Sequence, residues 1–170
     1  MCRAEESVCQ SSAVLDCGSP AMAKLAFTTE IAAPPDRVFV FFVPQRMPYW
    51  YGAETECTFE VQGGAAEFQV GLKVRITARL GHKEVSHTVV ITDYAYQRLL
   101  EWRFQDAYGI RGLQRWELGP GPGGTLVRMR DDYDLPGRLG HIVDWLLTRH
   151  AVARRDRGDL VRLKKLAERR

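Results

Sequence analysis

The sequence predicts an α+β fold in which a seven-stranded, curved antiparallel sheet wraps around a long C-terminal helix. Three observations carry that expectation. The segment Phe27 to Tyr51 reads as a strand, a Pro-Pro turn and a short apolar helix. Six strand-like runs follow at short spacing, joined by turns and uninterrupted by helical patterns, which argues for antiparallel pairing. After Leu135-Pro136-Gly137 the apolar residues recur at helical spacing to the end of the chain. A sheet curved about a helix encloses space, so a pocket for a hydrophobic molecule is the leading functional expectation.

A chain of 170 residues suits one domain, long enough to bury roughly two-thirds of its unfolded surface. Apolar residues make up 45% and charged residues 26%, the balance of a folded cytosolic protein, and a cytoplasmic location is expected. The net charge of +3 is small but unevenly placed: Arg138 to Arg170 holds ten Lys/Arg against four Asp/Glu. Such a basic helix can attract anionic lipid or nucleic acid, although a solvated outer face accounts for it more simply. The expectation is therefore no nucleic-acid partner and at most a weak membrane-surface contact. No window approaches the ~18 consecutive apolar residues of a membrane span.

Residues 1–23 read as a flexible tail and residues 24–170 as the folded domain. The tail carries three of the four cysteines, Cys2, Cys9 and Cys17, without zinc-motif spacing or a nearby histidine. Glu5, Glu6 and Asp16 interrupt it and no apolar h-region exists, so it does not read as a secretory signal. Met22-Ala-Lys-Leu-Ala-Phe27 leads directly into the first strand, which makes Met22 an alternative start.

Leu25, Phe27, Thr29 and Ile31 alternate as in a half-buried strand until Ala33-Pro34-Pro35-Asp36 breaks the pattern. A helix beginning near Asp36 gains an apolar face from Val38, Phe39, Phe41 and Phe42, and Pro44 and Pro48 frame a second short turn, Gln45 to Trp50. The aromatic knot Tyr49-Trp50-Tyr51 is either core or the lip of a pocket. Strand alternation then runs through Cys57 to Val61, Phe68 to Leu80, Val85 to Ile91 with a break at Asp93, Leu100 to Phe104, Ile110 to Leu118, and Thr125 to Tyr133. Gly119-Pro-Gly-Pro-Gly-Gly124 reads as a loop. In the last segment Leu139, Ile142, Val143, Leu146, Leu147, Ala153, Leu160, Leu163 and Leu166 form one stripe. Gly158 inside it costs about 1 kcal/mol relative to Ala and marks a place where the helix can bend or split.

This order of elements resembles the helix-grip fold of START, birch-pollen-allergen and polyketide cyclase/dehydrase proteins, the SRPBCC superfamily. The passage Phe27-Thr-Thr-Glu-Ile-Ala-Ala-Pro-Pro-Asp-Arg-Val-Phe39 is similar to the superfamily's strand-to-helix opening, and Tyr49-Trp50 sits where many members carry a Trp. Gly124-Thr125 before a strand and Pro136-Gly137 before the last helix also fit. The resemblance spans Lys24 to Arg170. It implies a fold strongly and chemistry weakly, since members bind lipids, sterols, quinones, polyketides or hormones and only some are enzymes.

The residues themselves supply no convergent catalytic set: no nucleophile elbow, no His-Glu-x-x-His and no P-loop. His82, His87, His141 and His150 are scattered, so neither metal nor cofactor is expected. If the apolar phase of the strands faces the helix, His87, Gln114, Asp131 and Tyr133 share that face with Val89, Trp116, Val127 and Met129. Asp131 and Tyr133 lie near a strand end, where solvent exposure is the plain reading, and Arg103 and Arg128 fall in the outer phase. The candidate ligand-binding set is Trp50, Val74, His87, Val89, Trp102, Gln114, Trp116, Met129, Ile142 and Leu146. His87, Asp131 and Tyr133 are the candidate proton-transfer residues. Three readings follow: a non-catalytic carrier of a lipid, quinone or polyketide-like molecule, which is favoured; a cyclase- or dehydratase-like enzyme; and an adaptor using the basic helix, with Arg149, Arg154, Arg155 and Lys164 solvated. Either a monomer or a homodimer is compatible with the sequence.

Overall fold

The first strand of the chain pairs with the last. β1 (Ala23–Ile31) runs antiparallel to β7 (Gly124–Asp134), from Ala23 opposite Tyr133 to Ile31 opposite Thr125. Between them come α1 (Pro35–Phe39), two 3-10 turns at Met47–Tyr49 and Ala53–Thr55, and five further strands. These are β2 (Thr58–Val61), β3 (Lys73–Leu80), β4 (Lys83–Ala95), β5 (Leu99–Gln105) and β6 (Arg111–Gly121). The helix α2 (Arg149–Glu168) follows the sheet. The computed structural model describes residues 23–80, 82–105, 109–134 and 149–169. Residues 1–22 of the expected tail lie outside the described residues, as do Leu139, Ile142, Val143, Leu146 and Leu147 of the expected helical stripe, Trp145, His141 and Pro136-Gly137, whereas Ala23 is the first residue of β1.

All seven strands join one antiparallel sheet in the order β1-β7-β6-β5-β4-β3-β2, the meander that the turn spacing predicts. The register puts the predicted apolar phase on one face. One row across the sheet reads Leu25, Asp131, Gln114, Trp102, Ile91, and the next reads Ala23, Tyr133, Gly112, Phe104, Val89, Val74, Val61. α2 lies against this inner face through Leu160, Leu163 and Ala167, each at most 3% exposed. It runs unbroken through Gly158.

Several local expectations are corrected. The alternating run Phe68 to Leu80 does not form one strand: Gly71 turns at φ +86°, Val70 is exposed, and pairing begins at Lys73. The period-two pattern persists because Phe68 and Leu72 reach the core from a loop, Phe68 against the Trp102 ring. The break at Asp93 is a register shift between Ile91 and Asp93, after which β4 continues to Ala95. Gly119 to Gly124 is mostly strand. Gly121 pairs with Gly124, leaving Pro122-Gly123 as a two-residue turn.

The two passages that carried the family resemblance meet in space. A Cβ on Gly124 would stand 2.3 Å from the Ile31 carbonyl oxygen, so only glycine lets β7 start this close to the end of β1. Beside it the Thr125 hydroxyl donates to the Ala33 carbonyl at 2.7 Å, fixing the chain as it enters the Pro-Pro turn. Pro35 at the first turn of α1 needs no amide partner there. α1 then delivers Val38 and Phe39, and the following turn Phe42, into the core.

Candidate functional site

The interior is built on aromatic rings. Trp50 is held by its indole N–H, which donates to the Phe41 carbonyl at 2.9 Å. Trp102 and Trp116, neighbours across β5 and β6, meet edge-on at 4.6 Å between centroids. Tyr51 packs edge-on against Trp50, Trp102 and Trp116 at 5.4–6.0 Å, a geometry that places ring edges over electron-rich faces. Of the aromatic knot, Trp50 and Tyr51 are core, whereas Tyr49 is exposed. The candidate ligand residues Trp50, Val74, Val89, Trp102, Gln114, Trp116 and Met129 are all at most 1% exposed. They form a solid floor. Ile142 and Leu146, the candidates from the last helix, lie outside the described residues.

Accessible apolar surface on the inner face lies beyond that floor, towards the β3–β4 turn. Phe59, Ala78, Val85, His87 and Phe104 are each half-buried there. Phe104 rests on Gly112, where a Cβ would stand 2.6 Å from its ring. His87 contacts the Phe104 ring edge-on at 6.1 Å.

On the other side of the floor is a buried polar cluster. Gln114 is its hub. Its Oε1 accepts from the Tyr51 hydroxyl at 2.8 Å and from the Trp102 indole at 3.2 Å, and its Nε2 donates to Asp131 Oδ2 at 2.9 Å. The same Asp131 oxygen accepts from Arg155 Nη2 at 3.1 Å, and Arg155 also donates to Asp156 Oδ1 at 2.8 Å. One turn along α2, Asp159 Oδ1 accepts from the Gly52 amide at 3.1 Å and from Arg162 Nη1 at 3.0 Å, while Arg162 also pairs with Glu54. Gly52 sits at φ +57°, and a Cβ there would stand 2.4 Å from the Cys57 sulfur. A left-handed glycine thus aims its N–H at the helix.

Burial dominates the electrostatics of the cluster. Asp131, Asp156 and Asp159 are at most 1% exposed, and Asp131 Oδ1, Asp156 Oδ2 and Asp159 Oδ2 have no hydrogen-bond partner among the described residues. Loss of solvent pushes the Asp159 carboxyl up to about 7, against the opposing Gly52 N–H and arginine charges. Asp131 and Asp156 are also raised by burial, Asp131 further by the charge of Asp156. Burial raises the Tyr51 phenol well above its ordinary value and also raises the Cys57 thiol. For Arg155 burial opposes the charge, but the carboxylate of Asp156, with Tyr51 and Asp131, outweighs it and keeps the guanidinium protonated.

These positions revise the sequence reading. Asp131 and Tyr133 are buried at 1% and 3%, not exposed at a strand end: both point to the inner face, where Gln114 and the helix residue Arg155 close on Asp131. Arg155 points inward to two carboxylates, and Lys164 donates to the Glu30 carbonyl and pairs with Glu168. Arg154 is exposed, as are Arg103 and Arg128 on the outer face. His87 is not brought to Asp131 or Tyr133: strands β5 and β6 intervene, and Asp131 lies two pairing rows away. Asp156 and Asp159 escaped the sequence reading, which named Tyr51 only within the aromatic knot and took Arg155 as solvated. A signal was present, since Asp156 precedes Leu160, Leu163 and Ala167 on the same helical stripe, and an acid inside an apolar stripe is a buried acid. No group of three or more His, Cys, Asp or Glu among the described residues has the arrangement of a metal site. No helix among them is long and apolar enough to cross a membrane.

Known proteins resemble the chain over most of its length. The family described as polyketide cyclase / dehydrase and lipid transport matches residues 22–168. A structure from Rhizobium leguminosarum superposes with a TM-score of 0.68 at 15% identity, covering 96% of this chain and 100% of that one. One from Rhodobacter sphaeroides gives 0.67 at 19%, covering 94% and 97%. The crystal structure of Ara h 8.0201 gives 0.67 at 13%, covering 86% and 98%. No curated protein matches the sequence.

Proposed function

Because the chain belongs to the polyketide cyclase/dehydrase and lipid transport family, within the SRPBCC superfamily, we propose that it binds a hydrophobic small molecule between the sheet and the C-terminal helix. The observation that carries this reading is the half-buried apolar surface of Phe59, Ala78, Val85, His87 and Phe104 on the inner face. It continues a core already closed by Trp102, so an apolar ligand laid there removes further hydrocarbon from water at about 25 cal/mol per Å². The Gln114–Asp131–Arg155 cluster lies on the other side of the floor, where it ties the sheet to the helix, and His87 is the polar side chain on the apolar surface itself.

Titration with a neutral flavonoid, followed by quenching of tryptophan fluorescence, tests the reading. Saturable quenching is expected, with Phe104→Ala weakening the affinity at least tenfold while the melting temperature changes little. Absence of saturable binding by flavonoid, fatty alcohol and quinone probes alike would overturn it.

A second reading, proton-transfer chemistry on a polyketone, rests on Asp131. Its raised carboxyl lies against Gln114 and Arg155 and can carry a proton near neutrality. In that case the acid-base residue is Asp131 rather than His87. Turnover of an aromatic polyketide precursor that Asp131→Asn abolishes and His87→Ala preserves would establish it.

A further inference from the structure

The outer face of the sheet holds a second feature, remote in orientation from the apolar surface. A wide-mouthed depression of about 860 Å³ is lined by Gln62, Lys73, Arg75, Ser86, Thr88 and Gln105, together with His87 and Val90. Lys73 and Arg75 are two residues apart on β3, so both project outward with Cα atoms about 6.5 Å apart. Thr88 stands directly across from Arg75, and Gln105 directly across from Thr88. Val90 lies between Lys73 on one side and Arg103 on the other.

Among the described residues several cations elsewhere on the face, though not Arg128, are held by acids. Arg79, Arg111, Arg115 and Arg130 each pair with a carboxylate, and Arg115 engages Asp93, Glu101 and Glu117 together. Lys73, Arg75 and Arg103 form no ion pair among the described residues; Glu60 faces Arg75 in the register without reaching it. Among the described residues no carboxylate lines the depression. Its polar side chains are an ammonium, a guanidinium, two hydroxyls and two amides, all able to donate hydrogen bonds. An ammonium and a guanidinium beside a concave floor of donors, with no described carboxylate in its lining, are the complement of an anion.

We propose that this depression is a binding site for the phosphate group of a phosphorylated small molecule. A guanidinium presents paired N–H groups to two oxygens of a tetrahedral phosphate, an ammonium supplies a compact second charge, and Ser86 and Thr88 can complete the shell. A carboxylate ligand has only two oxygens and one charge, so it uses fewer of these donors. His87 belongs to both linings, but the charges and donors of this site stand on the outer face, so it does not rest on the inner-face reading.

Inorganic pyrophosphate is the probe. Its titration into the full chain, followed by amide NMR shifts, should move Lys73, Arg75, Ser86, Thr88 and Gln105 saturably and leave Trp102 and Trp116 in place. Binding should weaken with added salt, and K73E/R75E should reduce the affinity at least tenfold. K73Q/R75Q should give a smaller loss in the same direction, with flavonoid binding unchanged in both variants. Vesicles containing phosphatidylglycerol form the second arm: shifts caused by vesicles but not by pyrophosphate would assign the face to a membrane and overturn the proposal. Uniform, non-saturating shifts, or equal affinity in K73E/R75E, would also overturn it.

Discussion

Arg155 on α2 reaches Asp131 on β7 at 3.1 Å, and the same nitrogen stands 2.8 Å from Asp156. One side chain therefore ties the helix to the sheet and offsets two buried carboxylates. Its own side chain remains 41% exposed, which keeps part of the guanidinium in water and moderates its contribution.

Arg155→Met should lower the unfolding free energy by about 2 kcal/mol at pH 7.5, below the range for a fully buried pair because of that exposure. The loss should shrink at pH 5.5, where the carboxyls hold protons and need no counter-charge. Urea unfolding at the two pH values checks both statements.

The pH profile of stability follows from the same acids. Asp159 titrates near 7 in the folded state and near ~3.9 when unfolded, so between those values the native state binds more protons. Stability should fall as pH rises through this window and level off above it. Glu101 and Glu168 act oppositely: their folded values are lowered, despite burial at Glu101, by the Thr92 and Arg115 bonds there and by the Ala32 amide and Lys164 at Glu168. Their contribution is lost only in more acidic solution. The melting temperature should therefore peak in mildly acidic buffer, and Asp159→Asn should flatten the descent towards pH 8 while keeping an oxygen for the Gly52 amide.

How much of this was legible in the sequence depended on which element supplied the residue. Strand alternation placed Trp102, Gln114, Trp116, Met129 and Asp131 on one inner face, because a period of two has only two phases. The helix side was harder. Arg155, Asp156 and Asp159 sit in a charged stretch whose composition resembles a solvated surface, and their partners Asp131 and Gly52 are distant in sequence. The Phe68–Leu80 run failed for a different reason, since burial from a loop imitates burial from a strand.

Gly52→Ala should cost more than 1 kcal/mol. Its backbone lies in the left-handed region, and the added methyl meets the Cys57 sulfur, so the loop must move and the bond to Asp159 is strained. The urea midpoint reports the loss, and Asp159→Asn in the same background should show coupling between the two sites.

Gln114→Leu should destabilise by about 3 kcal/mol, because the Tyr51 hydroxyl, the Trp102 indole and Asp131 each lose a buried partner. Gln114→Glu should recover part of this at pH 5.5, where a protonated Glu donates to Asp131, and less at pH 8. Thermal melts of both variants across that range make the comparison.

The pairing of the first strand with the last sets the timing of assembly. β1 has β7 as its neighbour in the sheet, so during synthesis Leu25, Phe27 and Ile31 wait for nearly the whole domain to emerge before their strand finds its partner. The neighbouring hairpins can zip locally, but this closure joins residues as far apart as Ala23 and Tyr133, and such non-local contacts are slow to form. A nascent chain stalled before Gly124 therefore exposes an unpaired β6 edge and an orphaned apolar strand, the state in which it is most open to aggregation or chaperone capture.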